Sequence, residues 1–238
     1  MLSFLWLFLA AYGAAAISGA AGFGGALLLL PLLVATVGTT EAVPLLTIAQ
    51  FIGNLSRAGF GFSQIQWRPA GLFLLGAIPF SILGSVSFVA LPKDTVNRGI
   101  GTAILLFILL KSLGTLKWKA SPTFLILGGG SVGFLSGLVG SAGPLGAAIF
   151  LTLGLPPVAY VATEAATALA MHGAKTAVYQ YYIPLDGEFW RLAGFMGLAM
   201  VLGTWSAKKV IERLPRDRFQ QYVAGLLAVM AVYMVAHG

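Results

Sequence analysis

The chain has 238 residues, 58% of them hydrophobic and 9% charged, with a mean hydropathy of +0.93 and a formal net charge of +7. A soluble domain carries roughly 25% charged residues, so a water-soluble globule is excluded and an all-α integral membrane protein is expected. The absence of cysteine excludes disulfides, thiol catalysis and iron–sulfur ligation.

Apolar stretches near spanning length occur in chain order at 3–37, 43–63, 69–91, 99–116, 123–153, 158–182, 189–207 and 219–236. The first resembles a secretory signal, with Ala14-Ala15-Ala16 as a small-residue site. It lacks a basic leading region, however, and is read as a retained segment. The first and fifth segments are too long, since a straight helix of about 35 residues runs ~52 Å against a hydrocarbon core of ~30 Å. Each contains a glycine-rich interruption. The first has Ser18-Gly19-Ala20-Ala21-Gly22-Phe23-Gly24-Gly25, and the fifth has Ser136-Gly137-Leu138-Val139-Gly140-Ser141-Ala142-Gly143-Pro144. Glycine weakens a helix by about 1 kcal/mol relative to alanine, and Pro144 suits the first turn of a new helix. Both segments are therefore expected to break into two half-helices, which makes five helical pieces in each half of the chain.

The interruptions belong to an internal repeat. Ser18–Gly22 returns as Ser136–Gly140 after 118 positions. Trp67-Arg68-Pro69-Ala70-Gly71 returns as Trp190-Arg191-Leu192-Ala193-Gly194 after 123, and Leu91-Pro92-Lys93-Asp94 returns as Leu214-Pro215-Arg216-Asp217, again after 123. Two transmembrane repeats follow, 1–116 and 123–238, joined by a linker at 117–122. Loop charge predicts their relation, because cytoplasmic loops collect Lys and Arg. With 208–218 inside, inverted halves put Arg57, Arg68, Lys111, Lys117, Lys119, Lys208, Lys209, Arg213, Arg216 and Arg218 on or near that side. They leave Lys93, Arg98 and Arg191 opposite. Parallel halves divide the same charges almost evenly, so inversion is expected.

Irregular backbone in hydrocarbon must face protein or water, because each unpaired N–H or C=O costs several kcal/mol there. Secondary transporters meet this demand with paired broken helices whose freed ends bind an anion near the midplane. Close packing through small residues is the other use of such glycines, but it leaves the segment length unexplained. Polar groups inside the apolar segments fall on matching positions: at offset 118, Arg57 corresponds to Lys175 and Asn54 to His172. Intramembrane charges usually line a pathway, although a long cation can also snorkel to the interface. Glu164 lies well inside an apolar segment and reads either as a proton carrier or as an ion-pair partner of Lys175. His172 reads as a packed imidazole or a proton relay.

The candidate anion site combines Ser18, Gly19, Gly22, Phe23, Gly24 and Gly25 with Ser136, Gly137, Gly140, Ser141 and Gly143. Asn54, Arg57, Thr163 and Lys175 complete it, and Glu164 and His172 are the candidates for proton coupling. Thr47 and Gln50 offer further uncharged donors. No HExxH or paired-carboxylate pattern is present, and the two histidines, His172 and His237, make no metal set. Neither an enzyme nor a metal or other cofactor is expected. The expected partners are a small anionic solute and the lipid bilayer. The basic residues form no stripe for nucleic acid, and homo-oligomerisation stays open.

The pattern SGxxGFGGxxLxxPxL from Ser18, its second copy SGLVGSAGP and the AxxAT-type segment ending at Thr163 resemble the TauE/SafE sulfite exporter family, of the toluenesulfonate uptake permease group. The resemblance extends along essentially the whole chain. It implies a multi-pass plasma-membrane carrier of small sulfur-containing anions such as sulfite, thiosulfate or organosulfonates, driven by an ion gradient, here of protons. A passive small-anion channel, which needs no coupling, is the alternative.

Overall fold

The computed structural model describes residues 2–19, 25–87, 102, 105, 121–140, 142–182 and 185–237. Among the described residues there are nine α-helices and no strand. They are α1 (Leu2–Gly19), α2 (Ala26–Val37), α3 (Thr39–Phe60), α4 (Trp67–Val86), α5 (Pro122–Val139), α6 (Gly143–Leu151), α7 (Pro157–Tyr182), α8 (Gly187–Ile211) and α9 (Arg216–His237). A single 3-10 turn, Phe62–Gln64, links α3 to α4. The segment expected at 99–116 lies outside the described residues except at Thr102 and Leu105, as do the Leu91–Asp94 copy of the repeat and linker residues 117–120.

Both long segments are broken where the glycines stand. The first separates into α1 and α2 and the fifth into α5 and α6. Gly140 ends α5 with φ 84°, and Gly25 precedes α2 with φ 72°. This left-handed region is open to glycine at little cost. Each second piece folds back along the first. Leu7 of α1 shares a cleft with Thr36 and Val37 at the end of α2. In the other half, Gly128 of α5 faces Ile149 of α6 and Gly146 of α6 faces Val132 of α5. Elsewhere ordinary caps set the ends: Ser121 accepts from the Phe124 N–H ahead of Pro122, and Asp186 accepts from the Phe189 N–H.

Among the described residues, α1 to α4 and α5 to α8 make matching helix contacts. Thus α4 packs on α5 as α8 packs on α1, and α3 on α8 as α7 on α4, while α3 packs on its own counterpart α7. Directions follow from the contacts. Along α4 and α5, Phe73 meets Gly129, Ala77 meets Gly133 and Ser81 meets Gly137, so the two run parallel. Along α1 and α8, Phe8 stacks on Phe195, Tyr12 meets Gly203 and Gly19 meets Ala207, again parallel. Along α3 and α7, Phe51 meets Gly173, Arg57 meets Glu164 and Gly61 meets Val158, so this pair is antiparallel.

The α4–α5 seam rests on backbone contact. A β-carbon on Gly129, Gly133 or Gly76 would collide with the carbonyl of Phe73, Ala77 or Ile126 respectively. This is small-residue packing of the kind membrane helices use, where dispersion and close approach replace the hydrophobic drive. Gly137, expected in the anion site, belongs to this seam, with Ser81 and Ser85 of α4 against it.

Burial is inside out relative to a soluble protein. Arg57, Glu164 and Lys175 are 2%, 4% and 0% exposed, whereas Trp6, Leu75 and Leu127 are 64%, 66% and 67% exposed. A charged interior within an apolar exterior suits lipid as the surrounding solvent. Among the described residues, Trp67–Val86 alone is long and apolar enough to cross a membrane by composition. The two ends differ in charge. Exposed Glu41, Asp186 and Glu188 flank a cleft of about 340 Å³ where α3 and α8 begin. At the other end of α3, Lys208 lies over the Phe60 ring, near the exposed Arg68, Lys209 and Arg213 of that end.

Candidate anion site

Halfway along α3 and α7 lies an internal cavity of about 20 Å³, room for about one water molecule. Gln50 and Arg57 of α3, Ser136 of α5, Gly143 and Gly146 of α6, and Glu164, Thr167 and His172 of α7 form its polar and backbone wall, with Phe73, Phe150 and Met171 completing it. The break between α5 and α6 thus delivers its backbone to the same space as the buried charges.

Arg57 does not snorkel. Its Nη2 donates to Asn54 Oδ1 one turn earlier on α3, and its Nη1 stands 3.6 Å from Glu164 Oε2. That separation holds two charges together but exceeds a hydrogen bond, and both atoms lack a hydrogen-bond partner. Burying an ion pair without satisfying its remaining hydrogen-bonding capacity is costly, and such a pair is weak support for stability. The pairing also removes Lys175 as the ion-pair partner of Glu164. Lys175 is eleven positions further along α7, which places it ~16 Å up the axis and out of reach.

Lys175 has another task. Its Nζ donates to Ser136 Oγ at 2.9 Å, to the Gly140 carbonyl at 2.8 Å and to the Ser136 carbonyl at 3.3 Å. The ammonium closes the C-terminal end of α5, where orphan carbonyls and the negative end of the helix dipole need a cation. The Tyr179 hydroxyl adds a donation to the Gly137 carbonyl at 3.0 Å.

The structure therefore brings together Asn54, Arg57, Ser136, Gly140, Gly143, Glu164, His172 and Lys175. Thr163 is not on the cavity wall: its hydroxyl donates to the Ala159 carbonyl at 2.6 Å and accepts from the Gln66 N–H at 2.9 Å. It ties the α3–α4 connection to α7. Gly19 packs on Thr204 and Ala207 of α8, Gly25 caps α2, and Ser18 lies in the last turn of α1. Gly22, Phe23, Gly24 and Ser141 lie outside the described residues. Gln50, named in the sequence as a donor but not placed in the site, lines the cavity. Its spacing from Asn54 and Arg57 along one helical stripe was the signal that could have placed it.

A family model described as Sulfite exporter TauE/SafE matches residues 7–234. No curated protein and no solved structure matches the chain.

Proposed function

The chain belongs to the TauE/SafE sulfite exporter family, a family of membrane transporters, and on that premise we propose that it is a secondary carrier coupling a small sulfur-containing anion to protons. The observation that carries this reading is the Arg57–Glu164 pair, at 3.6 Å with neither facing atom hydrogen-bonded. A four-heavy-atom oxyanion needs several times the room of a single water, so the cavity as it stands is closed around its own side chains. An arriving anion takes the place of the Glu164 carboxylate on Arg57. Two negative groups cannot share one buried guanidinium without heavy cost, so Glu164 takes up a proton as the anion binds. His172, on the same wall, is the second candidate for carrying that proton. Lys175 adds a fixed positive charge behind Ser136 and Gly140 without spending a free donor on the anion.

The antiparallel packing of α3 on α7 supports inverted repeats, 1–116 and 123–238. A twofold axis in the membrane plane reverses repeat-related helices, whereas one along the membrane normal leaves them parallel. The parallel α4–α5 and α1–α8 pairs fit the same axis. In this reading the α1–α2 hairpin, with Ser18, Gly19 and Gly22–Gly25, is the counterpart of the α5–α6 hairpin, and one half rocks against the other to expose the site alternately. The basic end with Lys208, Lys209 and Arg213 is cytoplasmic by the positive-inside rule, in the plasma membrane.

The test uses purified protein in sealed liposomes, with uptake of sulfite, thiosulfate, methanesulfonate and chloride followed with and without a pH gradient. Saturable sulfur-anion flux, driven uphill by the gradient and abolished in Arg57→Gln, is the expected result. Flux indifferent to the gradient would make the protein a passive channel, and no flux of any of these anions would sink the carrier reading.

A further inference from the structure

On α3, Thr47, Gln50, Asn54 and Arg57 are spaced 3, 4 and 3 apart and so share one stripe of the helix. All four are nearly fully buried, at 0%, 2%, 1% and 2% exposure. Each carries a polar atom with no hydrogen-bond partner: Thr47 Oγ1, Gln50 Nε2, Asn54 Nδ2 and Arg57 Nη1. Buried donors are satisfied in the great majority of cases, so four in succession on one stripe are not a packing accident. The repeat-related stripe of α7 is different. At offset 118 it reads Ala165, Ala168, His172 and Lys175, with the lysine fully engaged by the α5 terminus.

We infer that the Thr47–Gln50–Asn54–Arg57 stripe is a row of donors along the anion's path, with Gln50 beside Arg57 holding the oxygens of a polyoxygen anion and setting preference for an oxyanion over a halide. The proposal rests on the carrier reading above and deepens it. Arg57 supplies charge to any anion, whereas a neutral amide or hydroxyl is worth most to a ligand that presents directional lone pairs on several atoms. Gln50 and Arg57 line the same cavity, so one anion can take both. Thr47 and Asn54 extend the row along ~15 Å of helix, one donor in each turn. The site is consequently off the pseudo-twofold axis: the anion leans on α3, and α7 contributes the displaced Glu164 and His172 opposite it.

An orphaned donor is a cost in the empty protein that the ligand removes, and this sets a test that a structural residue would fail. Detergent-solubilised full-length protein is melted with and without sulfite, methanesulfonate or chloride, as wild type, Gln50→Met and Thr47→Val. The two variants are expected to melt at the same temperature as wild type or higher without ligand. Gln50→Met should need about tenfold more sulfite for the same upward shift, with the chloride response unchanged, whereas Thr47→Val, off the cavity wall, should keep the wild-type shift. Gln50→Glu, which puts an acceptor in the row, should lose the sulfite shift altogether. A wild-type sulfite shift that Gln50→Met keeps at the same concentration would overturn this proposal alone. No sulfite or sulfonate shift in wild type would overturn it together with the carrier reading.

Discussion

Lys175 Nζ stands 2.8 Å from the Gly140 carbonyl, so a fully buried cation of α7 closes the helix that ends at the hairpin turn. The cation and the left-handed glycine are two halves of one device: Gly140 turns the chain, and Lys175 satisfies the carbonyls the turn leaves open. Removing a partner from a buried acceptor costs ~1–3 kcal/mol. Lys175→Met is therefore expected to lower the denaturation midpoint and the yield of folded protein, with Lys175→Arg intermediate. The order of preference among transported anions should stay as in wild type, which flux ratios in liposomes would check.

Arg57 and Glu164 answer to a different logic. Loss of one partner of a buried ion pair leaves an uncompensated charge and costs about 3–5 kcal/mol, whereas replacing both is often neutral or better. Arg57→Gln and Glu164→Gln should each destabilise the protein. The double variant should recover most of that loss, a positive coupling that a double-mutant cycle reads directly, yet carry no sulfur anion. A double variant that transported would remove Arg57 from the site.

The α4–α5 seam makes a purely structural prediction. Gly133→Leu forces the two helices apart, because a β-carbon there meets the Ala77 carbonyl. It should cost at least the ~1–3 kcal/mol typical of overpacking and abolish folded material in size-exclusion profiles. Gly13 has open space around its would-be β-carbon, so Gly13→Ala should match or exceed wild-type stability.

Thr163→Val separates a tie from a ligand. It removes the acceptor of the Gln66 N–H, which is expected to cost ~1 kcal/mol, while the affinity for sulfite should be unchanged.

Much of this was legible in the sequence because local chemistry carried it. Excess length and the glycine runs foretold both breaks. The partner of Glu164 was not legible, because it depends on the register of α3 against α7, set by contacts such as Phe51 on Gly173 and Gly61 on Val158. The glycines of the second motif also divided their roles in a way that motif reading merged. Gly137 continues the 129–133–137 seam at helical spacing, while Gly140 alone turns the chain. Thr163 looked like a donor to a solute because nothing local showed that Gln66, 97 residues away, would claim its oxygen.

The central claim, that an anion displaces Glu164 from Arg57 and loads it with a proton, is tested most directly by Glu164→Gln in sealed liposomes. Two rates are compared: sulfite exchange at equal pH on both sides, and sulfite accumulation driven by a pH gradient. The account predicts that the variant keeps exchange and loses gradient-driven accumulation, since the substituted amide still leaves Arg57 to the anion but carries no exchangeable acid proton. Undiminished uphill accumulation by Glu164→Gln would contradict it.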